Sequence, residues 1–258
     1  MNHNHIAEAL YQAEQDRSQI ATLTTEYPEM TVEDAYQIQL INAARRLAEG
    51  QKLIGLKIGL TSRGMQELLG VSEPDYGHLF ADMLIPEGEA CSMSGLIQPR
   101  VEGELTFCLN KTLRGPGVTV EDVMQATEYV IPSIEIVDSR ILDWKIKLED
   151  TVADNGSSAR LILGGKKLPA DQVDMRLTGM TLEKNGQLVN SGTAAEVWGN
   201  PAAAVAWLAN KLAAYNIDLP AGSLIMSGAL TAAQFAKAGD TFTASFHGMG
   251  SATVTFTE

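Results

Sequence analysis

Two glutamates one residue apart inside an otherwise strand-forming stretch restrict this chain more than any other feature. Gln98-Pro99-Arg100-Val101-Glu102-Gly103-Glu104-Leu105-Thr106-Phe107 reads as a β-strand. Residues i and i+2 of a strand share a face, so Glu102 and Glu104 project together. Paired carboxylates repel and are costly to bury. Either this face lies in water, or a hard divalent cation such as Mg²⁺ neutralises it through oxygen ligands. A third carboxylate favours the cation. Glu135 sits in Val130-Ile131-Pro132-Ser133-Ile134-Glu135-Ile136-Val137-Asp138, a run too apolar to be a solvated surface.

The 258 residues suffice for one large core. The expected division is an N-terminal helical lobe over 1–50 and a β-rich domain over 51–258. Spacing predicts a helix over 6–20, with Ile6, Leu10 and Ala13 as its stripe, and a second from an N-cap at Thr31 to a stop at Gly50. Residues 52–61 read as a strand carrying Lys57 among Ile and Leu, either an edge lysine that reaches solvent or a buried cation beside a metal site. A short helix over 65–70 and a loop over 72–80 follow. Within that loop Asp75 is a turn residue or a carboxylate behind the metal ligands, and His78 is equally open. Thr119 caps a helix to about Tyr129. The polar section from Asp138 to Ser158 is too long for a plain connector. Strands are expected at 161–163 and 224–230, hairpins at 178–190 and 241–256, and a helix opened by Pro201 over 202–215.

The formal net charge of −13 argues against nucleic acid or an anionic membrane as partner. The two cysteines form no CxxC pair, no signal-peptide core is evident and no apolar run reaches transmembrane length, so a reduced, cytoplasmic protein is expected.

Several stretches occur together and in order: Gly55-Leu56-Lys57-Ile58-Gly59-Leu60-Thr61-Ser62, Glu73-Pro74-Asp75-Tyr76-Gly77, Pro99 to Glu104, Ile131 to Glu135, Asp150-Thr151-Val152-Ala153-Asp154-Asn155 and Met226-Ser227-Gly228-Ala229. The set resembles the 2-oxopent-4-enoate hydratase and 4-oxalocrotonate decarboxylase family of the fumarylacetoacetate-hydrolase superfamily. That resemblance implies an α+β fold, a mixed, highly curved β-roll with an N-terminal α-helical lobe. It implies that Glu102, Glu104 and Glu135 hold one Mg²⁺ or Mn²⁺, and that Lys57 and Asp75 are catalytic. Lys57 would be the acid–base group, with a pKa lowered by burial and a neighbouring cation. Asp154, Asn155 and Ser227 are candidates for positioning substrate. The implied reaction is hydration of 2-hydroxypenta-2,4-dienoate to 4-hydroxy-2-oxopentanoate in aromatic meta-cleavage catabolism. The alternative is decarboxylation of 2-oxohex-3-enedioate (4-oxalocrotonate) at the same metal. A carbon–carbon hydrolase would need a histidine–carboxylate dyad, for which only His78 and His247 are internal. Family members form homo-oligomers, and a related hydratase or decarboxylase subunit is a candidate partner.

Overall fold

The computed structural model describes residues 1–71 and 73–258, and the backbone alone at residues 65, 68 and 69. Polar caps start the first helices. Asn2 caps α1 (His3–Asp16), and after the short α2 (Leu23–Glu26) Thr31 and Asp34 cap each other reciprocally at the start of α3 (Val32–Ala48). Both long helices bury one stripe, Ile6, Ala7, Leu10 and Ala13 on α1 and Ala35, Tyr36, Ile38, Gln39 and Ala43 on α3. Most of this apolar surface joins the same continuous core as the strands that follow.

Those strands begin with β1 (Leu53–Gly59), followed by α4 (Arg63–Leu69), β2 (Asp75–Phe80), β3 (Leu84–Ile85), β4 (Cys91–Ser92) and β5 (Arg100–Leu109). Helix α5 (Val120–Ala126), capped by Thr119 and Asp122, runs directly into β6 (Thr127–Val137). Helix α6 (Leu148–Ala153) precedes β7 (Ser158–Leu163). Then come β8 (Gly179–Lys184), β9 (Gln187–Thr193), α7 (Pro201–Leu212), β10 (Leu224–Ala229), β11 (Gln234–Phe235), β12 (Thr241–Phe246) and β13 (Gly250–Thr257). The order is α+β, as the sequence leads one to expect.

The strands form two curled mixed sheets. One runs β2-β1-β10-β5-β6-β7-β3, with β11 added beside β5; the other runs β4-β13-β12-β8-β9. The strand β5 lies near the centre of the first sheet, and its two faces meet different surroundings. A Cβ at Gly103 would lie 2.9 Å from Met180 Cε and 3.2 Å from the Cβ of Ala244, which belong to β8 and β12 of the second sheet. Gly103 is therefore the point of close sheet-to-sheet approach, and alternation sends Glu102 and Glu104 to the opposite face.

One expectation is corrected. Residues 75–80, read as loop because of Pro74, Asp75 and Gly77, form the strand β2, buried along its whole length. It pairs antiparallel with β1 in a register that sets Asp75 opposite Gly59 and Gly77 opposite Lys57. Polar residues in this strand face other protein groups rather than water. Ser72, the first residue of the expected loop, lies outside the described residues.

Candidate metal and acid–base site

The antiparallel register of β5 and β6 places Glu102 directly opposite Glu135 and Glu104 opposite Ser133. Opposed residues of such a pair share a face, so three carboxylates converge on one patch of sheet. Their nearest oxygens all lie within 4.8 Å of one another. Glu104 and Glu135 are 1% and 0% exposed, whereas Glu102 is partly exposed. One oxygen of Glu104, Oε2, accepts the Gly228 N–H at 2.9 Å. The other Glu104 oxygen and both oxygens of Glu135 are buried without a hydrogen-bond partner. Burial first, and then the charge of Glu135, pushes Glu102 up to about 7 and Glu104 well above the usual carboxylate range. Burial also raises Glu135, against the pull of Lys57. A buried, mutually repelling, under-bonded set of three oxygen donors fits a hard divalent cation, which would satisfy all three at once.

Lys57 and Asp75 stand beside this set. Lys57 is 3% exposed and Asp75 1%. Lys57 Nζ lies 3.6 Å from Glu135 Oε2 and donates to the Gly156 carbonyl at 2.9 Å. Asp75 Oδ2 accepts from Thr151 Oγ1 at 3.3 Å, while Asp75 Oδ1 is buried and unpartnered. The two groups meet over Gly59, where a Cβ would fall 2.2 Å from Asp75 Oδ1 and 2.9 Å from Lys57 Nζ. Only glycine leaves that space. The expected depression of the Lys57 pKa is that of a lysine beside a bound cation, and the metal-free site behaves differently. Burial does pull it down, but the carboxylates of Glu135, Asp75, Glu102 and Glu104 together outweigh burial and raise it. In the metal-free site these carboxylates hold the lysine as an ammonium, a proton donor.

Of the three candidates for positioning substrate, none has a free side chain. Asp154 is buried in an ion pair with Arg140, Nε to Oδ1 at 2.5 Å, and also accepts the Arg140 N–H. The Asn155 amide accepts the His78 N–H at 2.7 Å and donates to the His78 carbonyl at 3.0 Å, pairing with β2 as a strand residue would. Ser227 Oγ donates to the Leu105 carbonyl at 2.8 Å. Their side chains tie neighbouring backbone together. Residues 155–157 make a left-handed turn, with φ of 56°, 59° and 54°, and it is this turn that presents the Gly156 carbonyl to Lys57. Sequence reading passed over Thr151, Gly156 and Gly228, although Thr151 and Gly228 fall within the ordered motifs. His78 is buried on the face of β2 opposite Asp75, and burial lowers its pKa to about 4. His247 lies in the exposed turn after β12. Neither makes a histidine–carboxylate dyad at this site. A polar cleft of about 440 Å³ near Arg17, Arg46 and Arg160 includes none of the carboxylates described here.

Residues 63–257 match the model of the fumarylacetoacetate (FAA) hydrolase C-terminal domain. The chain is 49% identical over 251 residues to a 2-hydroxyhexa-2,4-dienoate hydratase of Comamonas testosteroni, covering 96% of this chain and 95% of the relative. It is 50% identical over 215 residues to a 2-hydroxypent-2,4-dienoate hydratase of Pseudomonas putida, covering 83% and 97%. Among solved structures it is similar to a 4-oxalocrotonate decarboxylase from Pseudomonas putida G7, complexed with magnesium and adipate. That match has 40% identity and a TM-score of 0.95, over 98% of this chain and 96% of the other.

Proposed function

Because the chain belongs to the fumarylacetoacetate hydrolase family, we propose that it is a metal-dependent lyase that hydrates 2-hydroxypenta-2,4-dienoate to 4-hydroxy-2-oxopentanoate. The observation that carries this reading is the buried triad of under-bonded carboxylates with one ammonium and one unpartnered carboxylate oxygen beside it. Glu102, Glu104 and Glu135 would hold Mg²⁺ or Mn²⁺. When bound, the cation supplies a Lewis acid that polarises the 2-oxygen of the substrate.

The chain's own groups account for the proton movements. Lys57 Nζ gives a proton to C5 of the dienol while the enol proton passes to Asp75 Oδ1. This leaves an α,β-unsaturated 2-oxo acid, a neutral amine and a carboxylic acid. Water then adds at C4, its proton returning to Lys57 Nζ, and C3 takes the proton held by Asp75. Both residues end as they began, and the only net change is the addition of one water. The Gly156 carbonyl and Glu135 hold the ammonium in place through the first transfer.

A second reading, 4-oxalocrotonate decarboxylation, is supported by the high structural likeness to a decarboxylase. The two are separated by assays on metal-free and Mg²⁺-loaded protein. Metal-dependent loss of diene absorbance from 2-hydroxypenta-2,4-dienoate without CO₂ release supports hydration. CO₂ release from 2-oxohex-3-enedioate with little hydration moves the chain to decarboxylation, and silence in both rejects these two substrates and points to another 2-oxo acid or to a partner role.

A cytoplasmic, homo-oligomeric enzyme is part of the same proposal, with a related hydratase or decarboxylase subunit as the candidate partner. Two free, buried thiols support a reducing compartment, and no helix among the described residues is long and apolar enough to cross a membrane. The outward-facing Leu177 and Leu188 are apolar surface of the kind that subunit contacts cover.

A further inference from the structure

Gln39 belongs to the helical lobe, yet its amide reaches the backbone that carries the acid–base groups. It is 1% exposed and shares the inner face of α3 with Tyr36, three residues earlier. The Tyr36 ring stacks on that of Tyr76 with centres 4.5 Å apart, which brings this face of α3 against β2. Gln39 Nε2 donates to the Tyr76 carbonyl at 2.9 Å and to the Val152 carbonyl at 2.7 Å. A carbonyl only accepts, so these bonds use both hydrogens of one amide nitrogen and fix which way the amide faces. The Val152 carbonyl stands in the last turn of α6, where helix carbonyls lack partners within the helix.

The two bonded residues each follow a member of another pair. Tyr76 follows Asp75 in β2, and Val152 follows Thr151 in α6. Thr151 Oγ1 donates to Asp75 Oδ2 at 3.3 Å, long for a bond from a hydroxyl. A bond that long does not by itself keep a strand and a helix at a set distance. One nitrogen shared between the next residue of each segment does, because the two carbonyls can separate only by breaking a bond to it. The free oxygen, Asp75 Oδ1, lies over Gly59 beside Lys57 Nζ, and its direction follows from where these two backbones stand.

We infer that Gln39 is a positioning residue for the proton-carrying carboxylate: by joining the Tyr76 and Val152 carbonyls it sets Asp75 against Thr151 and so aims Asp75 Oδ1 at the substrate. The inference rests on the proposed role of Asp75, which takes the enol proton and returns it to C3. It gives the helical lobe a part in the chemistry, since α3 supplies the clasp while Lys57, Asp75 and the three glutamates all lie on strands. A carboxylate aimed in this way delivers its proton to one face of C3. One held loosely leaves that carbon to be protonated by water from either side.

Hydration of 2-hydroxypenta-2,4-dienoate in D₂O by Mg²⁺-loaded protein tests it. The quantities read are kcat, KM, Mg²⁺ bound per chain and, by NMR before the product exchanges in solution, the position of deuterium at C3. Wild type is expected to place deuterium in only one of the two C3 positions. Gln39→Met, which keeps the length of the side chain without its donors, should lower kcat about ten- to hundredfold, the scale of a small misplacement, with KM within about twofold. It should divide the deuterium between both C3 positions and bind as much Mg²⁺ per chain as wild type. Gln39→Glu has the same shape but loses at least one of the two donated bonds. It should move both readouts the same way, and it carries the test if Gln39→Met does not fold. Deuterium in both positions already in wild type, an unchanged kcat in the variants, or a lowered kcat with a single C3 position labelled overturns the inference. So does a fall in Mg²⁺ bound per chain that matches the fall in rate, which would make Gln39 a packing residue. Asp75→Asn tests the reading beneath it: turnover near wild type with a single labelled position would remove Asp75 from the proton path, whatever Gln39 does.

Discussion

At the scale of single residues, the buried carboxylates set up opposite expectations for stability and for function. Glu104 and Glu135 are buried without enough partners, so a neutral amide in place of one removes a group that is costly to ionise there in the metal-free protein. We expect Glu104→Gln to raise the metal-free Tm by about 2–4 °C if the relief is about 1 kcal/mol. The same change should abolish the further rise that Mg²⁺ gives wild type, together with metal-dependent turnover. A thermal melt with and without Mg²⁺ reads both, and an unchanged Mg²⁺ response would remove Glu104 from the ligand set. Lys57→Met, which fills the space of the side chain, should keep Mg²⁺ affinity and lose about 10²–10⁴ in rate. Loss of metal binding instead would make the lysine structural. The glutamates were legible in the sequence because a charge inside an apolar strand has few explanations. The upward shift of Lys57 in the metal-free site was not, because it depends on four carboxylates that only the tertiary fold gathers around one ammonium.

At the scale of elements, the left-handed turn at 155–157 connects the fold to the chemistry. Its backbone is unfavourable for Asn155 and Ser157, which are not glycine, and persists because neighbours determine it from both sides. Asp154 is tied to Arg140, the Asn155 amide pairs with the backbone of β2, and the Asn155 carbonyl sits where a Cβ on Gly77 would lie, 2.2 Å from it. Asn155→Asp keeps the shape but sets a carboxylate against the His78 carbonyl. We expect kcat to fall about ten- to hundredfold with little change in KM or Mg²⁺ affinity, since a slightly misplaced Gly156 carbonyl misaims Lys57. A change in KM alone would return Asn155 to substrate contact. Gly103→Val should act on the other face of β5, forcing apart β5, β8 and β12 at a cost of about 1–3 kcal/mol in denaturant unfolding. Capped helices and the Asn185-Gly186 hairpin were readable from local chemistry alone. The strand β2 was not, because Pro74, Asp75 and Gly77 look like turn residues until Asp75 is seen to serve the site and Gly77 to admit the Asn155 carbonyl.

For the whole molecule, the carboxylate triad links stability, protons and metal. A carboxyl group whose folded pKa is raised binds more protons in the folded chain than in the unfolded one between the two values. Unfolding then releases protons, and stability falls as pH rises through that window. For Glu102 the window runs from the ordinary value of 4.5 to about 7, and Glu104 extends it upward. His78 works in the opposite sense. Its pKa is lowered to about 4 from 6.5, so its contribution grows as pH rises between those values, and a melt of the metal-free protein alone would mix the two trends. The effect of Mg²⁺ separates them. Binding must displace the protons on the glutamates but leaves His78, on the other face of β2, untouched. At a hundred times Kd a ligand stabilises by about 2.7 kcal/mol, and at fixed Mg²⁺ that gain shrinks as protons compete. The Tm increase produced by a fixed Mg²⁺ concentration should therefore be small at pH 5.5 and grow through pH 8, with net proton release on binding detected by calorimetry in buffers of different ionisation enthalpy. An equal Mg²⁺ effect at both ends of this range, without proton release, would mean that the carboxylates are already ionised in the metal-free chain. The buried triad would then be stabilised by something other than the protons a cation replaces.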